Sequence, residues 1–282
     1  MDPVAFVLIT FAGSLLAGGL GAMVGLGGGV ILIPFLTLAL GVDIRFAVGA
    51  GVISVLATSS AGASTFLRLG ITNRRLALFL AIATTAGALT GAVTAGFVAA
   101  PALYVIFALV LGYVAVTMFL QRNTAYVPAP RDHPWAGRLR LAGSYPEARQ
   151  GREVQYRVAG VPPAMFLVYL GGLLSGLLGI GGGAFTVPVM DQIMRLPLKV
   201  SAATSNFLLG VTATTAAGVY FTRGDIVPIV TAPVALGVLA GALLGARLMV
   251  RARTAVVRQV FIVVLAVVAV QMAAKGIGIF FA

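Results

Sequence analysis

The chain of 282 residues has no cysteine, one histidine, one tryptophan and only seven acidic residues. Without cysteine there are no disulfides and no thiolate metal sites. The one histidine, His133, lies in a polar stretch, which leaves zinc chemistry of the usual kind almost no ligands. No metal and no cofactor is therefore expected. Charge is scarce: 9% of residues are charged, against about a quarter in a soluble domain. No Ser/His/Asp set, no paired carboxylates in apolar sequence and no Walker-type loop is visible, so nothing points to an enzyme. The opening Met1-Asp2-Pro3 lacks the basic residues of a signal peptide, and the first apolar segment is expected to be retained.

What the chain has in quantity is apolar sequence, 60% of the total. Stretches such as 76–100, 102–120, 226–246 and 254–274 approach or exceed the roughly 18–20 residues that cross a bilayer as helix. They predict an all-α, polytopic membrane protein with the lipid bilayer as its main partner. Nineteen Lys and Arg residues give a net charge of +12. These cations fall in short loops, with no aromatic interleaving to stack bases. They read as topology signals and not as a nucleic-acid surface.

A glycine signature occurs twice. Gly25-Leu26-Gly27-Gly28-Gly29 is followed by Pro34, and Gly179-Ile180-Gly181-Gly182-Gly183 by Pro188. At an offset of 154, residues 25–92 align with 179–246 without a gap, and fifteen of the 68 pairs are identical. Gly70, Gly87 and Gly91 stand opposite Gly224, Gly241 and Gly245. This is an internal duplication: a first transmembrane repeat at 1–120, a linker at 121–162 and a second repeat at 163–282. Each repeat holds five apolar segments, near 4–23, 30–42, 47–67, 76–99 and 102–120, then 163–178, 184–196, 200–221, 226–248 and 255–275. The second segment of each is short. It reaches roughly 20 Å against a hydrocarbon core of roughly 30 Å, so it reads as a half-helix or one arm of a re-entrant hairpin.

The linker carries Arg122, Arg131, Arg138, Arg140, Arg149, Arg152 and Arg157. It reads as a cytoplasmic connector, with a regulatory or partner-binding segment as the alternative. With the linker inside and five segments per repeat, sixteen of the 19 cations fall inside. Only Arg45, Arg223 and Lys275 fall outside, as the positive-inside rule requires. An odd number of segments makes the repeats point oppositely, the inverted-repeat plan of many secondary transporters. Both termini are then extracytoplasmic.

Glycine clusters interrupt helices, and a broken helix in a membrane is tolerated only where protein or a watery cavity covers the freed backbone. One such break per repeat points to a substrate site. Amides near Gly27, Gly28 and Gly29 and near Gly181, Gly182 and Gly183, at the start of short helices beginning at Val30 and Ala184, would hold a small anion. The same glycines would also serve close helix packing. Ser201, Thr204, Ser205, Thr212 and Thr215 share one helical face with Asn206 beside it, and Ser54, Thr58 and Thr65 form a thinner equivalent. These hydroxyls either donate to an oxyanion or bond between helices. Asp191, opposite Thr37 in the repeat, is an intramembrane carboxylate for coupling, or is simply solvated near Arg195 and Lys199. Arg45 and Lys199 are repeat equivalents that would flank the site from opposite sides.

The doubled glycine motif with its prolines resembles the sulfite exporter TauE/SafE family of permeases. So do Lys199-Val-Ser-Ala-Ala-Thr204-Ser205-Asn206, Tyr220-Phe-Thr-Arg-Gly224-Asp225-Ile226 and Gly241-Ala-Leu-Leu-Gly245-Ala246. The resemblance covers almost the whole chain outside the linker. It implies transport of a small sulfur-containing anion, such as sulfite, thiosulfate or an organosulfonate, across the bacterial inner membrane. The first repeat departs from the family, reading Gly49-Ala50-Gly51-Val52 where a Thr-Ser pair is usual. The expected function is secondary transport by alternating access, with room for a homo-oligomer. An anion channel and a non-transporting subunit with a regulatory linker are the alternatives.

Overall fold

Residues 2–24, 26–120, 129, 133–147, 152–249 and 254–281 are described by a computed structural model. The first repeat runs α1 (Pro3–Val24), α2 (Gly29–Pro34) with a π-helical turn Phe35–Ala39, α3 (Ile44–Arg68), α4 (Arg74–Ala95) and α5 (Ala100–Leu120). The linker contributes α6 (Pro134–Arg138) and an antiparallel hairpin, β1 (Gly143–Glu147) with β2 (Arg152–Tyr156). The second repeat runs α7 (Val161–Leu178), α8 (Gly183–Pro188) with a π-helical turn Val189–Ile193, α9 (Leu198–Thr222), α10 (Pro228–Met249) and α11 (Thr254–Phe281). Ten of these helices answer the ten apolar segments. Six of the described helices are long and apolar enough to span a membrane.

Local chemistry sets the helix ends. Asp43 accepts from Arg45 N at 2.8 Å to start α3, and Asn73 Oδ1 accepts from Leu76 N at 3.0 Å to start α4. The long central helices stop identically in both repeats. Gly70 and Gly224 take left-handed φ values of 68° and 77°. The next amides, Ile71 N and Asp225 N, then bond back to Phe66 O and Tyr220 O.

The helices pack in reciprocal pairs: α1 with α10 and α7 with α4, α3 with α9, α5 with α11. Each pairing maps onto itself or its mate when the repeats are exchanged. Glycine permits the closest of them. A Cβ at Gly87 would collide with Tyr169 O on α7, and one at the equivalent Gly241 with Leu15 O on α1. In a bilayer, where lipid tails are as apolar as leucine, such close backbone approach replaces the hydrophobic drive.

Direction follows from the same contacts. Along α4 and α7 the meeting residues rise together, Thr84 with Gly172 and Ala88 with Gly176, so the helices run parallel. Along α3 and α9 they run oppositely. Ser59 Oγ donates to Asn206 O, while Val52 and Val55, earlier on α3, line one crevice with Ala213 and Ala216, later on α9. Two equivalent helices that cross antiparallel near their middles place a pseudo-two-fold axis between them and invert the repeats. Outward faces are apolar, as with Leu78, Ile82 and Leu89 on α4.

The linker packs onto the bundle. Ala136, Leu141, Tyr145, Tyr156 and Val158 are buried in one cluster with Leu76 and Leu80 of α4 and with Met190, Met194 and Leu196. The loops 69–73 and 194–198 lie at this end, since Asn73 Nδ2 bonds Leu141 O and Ala159 N bonds Met194 O. Asp43, Arg45 and Arg223 lie at the other end, where Asp225 abuts Gly49. Arg122, Arg131, Arg149, Arg251 and Arg253 lie outside the described residues.

Candidate functional site

Both glycine signatures break the chain between helices. Gly27 and Gly181 adopt φ of 84° and 78°, a left-handed conformation open to glycine without penalty. Gly25 lies outside the described residues. Helices α2 and α8 begin at Gly29 and Gly183, one residue before the expected Val30 and Ala184, because Gly28 and Gly182 already hold helical φ values as caps. No side chain caps either start. Amide dipoles at these two starts therefore face the centre of the bundle without a carboxylate to neutralise them.

The two breaks touch. A Cβ at Gly29 would lie 2.7 Å from Gly179 O, and Gly27 lies against Ile180 O. Gly27 and Gly181 both rest on Val55 in the middle of α3. Beside them runs a crevice lined by Val52, Val55, Ser175, Gly179, Gly181, Ala213 and Ala216, nowhere wide enough for a water molecule.

The hydroxyl candidates divide. Thr58 Oγ1 accepts from Gly28 N at 3.3 Å, and Ser54 Oγ is fully buried beside Gly28 without a hydrogen-bond partner. Ser205 bonds Thr186 of α8 at 2.8 Å and so stands beside the second break. Thr204 is turned away, accepting from Asn73 N at 3.2 Å at the linker end. Asn206 faces α3: its Nδ2 donates to Ala202 O at 3.0 Å, and its Oδ1 is buried against Gly62. Ser54, Thr58 and Ser205 thus gather with the glycines, whereas Thr204 and Asn206 join helix to helix.

The charged candidates lie at the ends. Arg45 and Lys199 are exposed at the starts of α3 and α9, on opposite faces of the bundle. Asp191 is partly exposed in the π turn after α8, and it and Lys199 both have interaction partners. None of the three reaches the glycine breaks. Among the described residues no group of His, Cys, Asp or Glu is placed to hold a metal.

Sequence reasoning missed several side chains. Ser175 lines the crevice. The Tyr220 hydroxyl donates to Gly176 O at 2.7 Å, just ahead of the second break. Lys275, a loop charge by sequence pattern, lies within α11, and its Nζ donates to Thr37 O at 2.7 Å. Arg223 Nη1 donates to Ala92 O at 3.0 Å, and its Nη2 lies 3.0 Å from Asp225 Oδ2. Burial pushes the Asp225 carboxyl above the usual carboxylate range, against the pull of Arg223 and Arg45 and with the help of Asp43. The only sequence signal for this pair was its i, i+2 spacing across Gly224.

Two inverted, interlocked helical repeats whose broken helices meet at the centre define a polytopic membrane transporter architecture. The model of the sulfite exporter TauE/SafE family matches residues 10–272, and the chain belongs to that family. It is a membrane transporter of the TauE/SafE type. It is 24% identical over 280 residues to the probable membrane transporter protein YunE of Bacillus subtilis (strain 168), covering 97% of this chain and 99% of that protein. No solved structure matches.

Proposed function

We propose that the chain carries a small sulfur-containing oxyanion, sulfite or an organosulfonate, by alternating access about the two glycine breaks. One observation carries this reading: backbone breaks from opposite repeats meet at the pseudo-two-fold axis, each opening a helix whose first amides face the centre. A small oxyanion needs donors more than it needs a full counter-charge, and uncapped amides with Ser54, Thr58 and Ser205 supply them. The family's name, sulfite exporter, supports the sulfur chemistry. A crevice too narrow for a water molecule supports a carrier over a pore, since a solute enters only when one repeat moves against the other. The reading places the linker in the cytoplasm, both termini outside and the protein in the bacterial inner membrane.

Flux into proteoliposomes tests it, with sulfite, sulfate, thiosulfate and an organosulfonate as solutes under several ion gradients. Saturable flux of at least one is expected. Flux that rises without saturation indicates a channel, and no flux of any solute overturns the reading.

A further inference from the structure

Arg223 and the linker occupy opposite ends of an inverted pair, and the chemistry at the two ends differs. At the end away from the linker, Arg223 gathers three elements. It caps α9, donates to Ala92 O near the end of α4, and pairs with Asp225, whose backbone abuts Gly49 near the start of α3. The guanidinium also lies 5.3 Å from the centre of the Tyr220 ring. Tyr220 in turn holds Gly176 O and Leu177 O, the last turn of α7 before the second break. The crevice residue Ala216 stands one helical turn below Tyr220.

The repeat equivalents of Tyr220, Arg223 and Asp225 are Phe66, Leu69 and Ile71. None can form an ion pair. At that end Asn73 does the joining: its Nδ2 donates to Leu141 O at 2.7 Å and to the Tyr156 hydroxyl at 3.0 Å, and its backbone N donates to Thr204 Oγ1. One residue of the first repeat thereby holds both the linker hairpin and α9 of the second repeat. Three residues before Thr204, in the first turn of α9 at this end, Ser201 is fully buried with no hydrogen-bond partner for its hydroxyl.

We infer that these are the two gates of the transport cycle: an Arg223–Asp225–Tyr220 lock at one end, and the packed linker residues Leu141 and Tyr156, latched by Asn73, as the lid at the other. The inference rests on the alternating-access reading above. It makes Arg223 and Asn73 positioning residues that act through helix placement. Each lock joins an element of one repeat to an element of the other, as a gate between rocking repeats must. Breaking one lock biases the protein toward opening at that end alone, because the differential contact is lost only there.

The natural absence of cysteine allows a direct test. Ser175→Cys reports on the crevice near the Arg223 lock, and Ser201→Cys reports on the space under the linker. Thiol modification rates are measured on purified protein in detergent, so no transported solute is required, and a failed flux assay leaves this result standing. Adding Arg223→Met is expected to speed modification of the crevice thiol by about tenfold and leave the thiol under the linker unchanged. Adding Asn73→Ala or Tyr156→Phe is expected to do the reverse. Asp225→Asn, which removes charge and keeps shape, should reproduce Arg223→Met if that variant folds poorly, and Arg223→Lys should restore part of the protection. Equal acceleration at both reporters, or no acceleration at either, overturns the proposal.

Discussion

Gly28 and Gly182 occupy equivalent places in the two repeats, yet a methyl group would meet different neighbours at each. Their backbones are nearly the same, with φ of −69° and −71°, so neither needs glycine for its conformation. A Cβ on Gly28 would fall 2.6 Å from Ser54 Oγ and 3.2 Å from Thr58 Oγ1. A Cβ on Gly182 would meet nothing closer than 3.7 Å. Duplication has kept the backbone device and let the linings diverge. The first break is tightly lined by hydroxyls, and the second has slack.

Alanine scanning of this pair has the largest expected effect. Gly28→Ala overpacks the first break, at a cost of about 1–3 kcal/mol, and uptake should fall by about tenfold or more. Gly182→Ala should be neutral, or stabilise by roughly 0.4–1 kcal/mol through the unfolded chain. Thermal unfolding in detergent and initial uptake rates measure both. Adding Ser54→Ala to Gly28→Ala should recover part of the loss, because the obstructing atom is a side chain. Equal damage from Gly28→Ala and Gly182→Ala would erase the contrast.

A smaller effect sharpens the same comparison one layer out. Thr58 and Thr212 are repeat equivalents. Both hydroxyls donate four residues back along their own helix, Thr58 to Ser54 O and Thr212 to Leu208 O, and Thr58 in addition accepts the Gly28 amide. Thr58→Val leaves a buried amide unpaired, worth about 1–3 kcal/mol. It should raise the KM for the anion several-fold if that amide also serves the solute. Thr212→Val should change KM little, since a back-bond to the same helix contributes little to its stability. A KM shift of the same size in both variants would show that the breaks are functionally alike.

The architecture was legible in the sequence because its signals were periodic and doubled. Fifteen aligned identities set the repeat, the glycines set the breaks, and the charge distribution among loops set the alternation of ends. The side-chain environment was less legible. Thr204 and Ser205 are neighbours on one stripe, but about 100° of helical rotation sends one to Asn73 and the other to Thr186. Lys275 read as a helix-ending charge because nothing in composition reveals that Thr37 O, 238 residues away, waits as its acceptor. The linker looked like a tether since its apolar residues are few and scattered. Leu141, Tyr156 and Val158 find their burial only against the bundle.

The least of the expected effects separates the two ends by pH. Asp225 titrates above the ordinary carboxylate range because burial disfavours its charge, with Arg223, Arg45, Asp43 and the Tyr220 ring around it. As pH falls through that raised value the Arg223 pair loses its anion. Modification of the crevice thiol in Ser175→Cys, normalised to the same reporter carrying Asp225→Asn, should then rise about twofold. Linkage fixes the sign for stability. A carboxyl whose folded pKa is raised binds its proton more tightly when folded, so its ionised form is the destabilising one, and acidification relieves that penalty. The Arg223 end should therefore loosen without any loss of thermal stability from this group. Asn73, which does not titrate, holds the linker end, and the thiol of Ser201→Cys should show no matching change. Loosening at both reporters, or loosening that tracks a falling Tm, would mean that acid unfolds the bundle as a whole and that the two ends are not independently held.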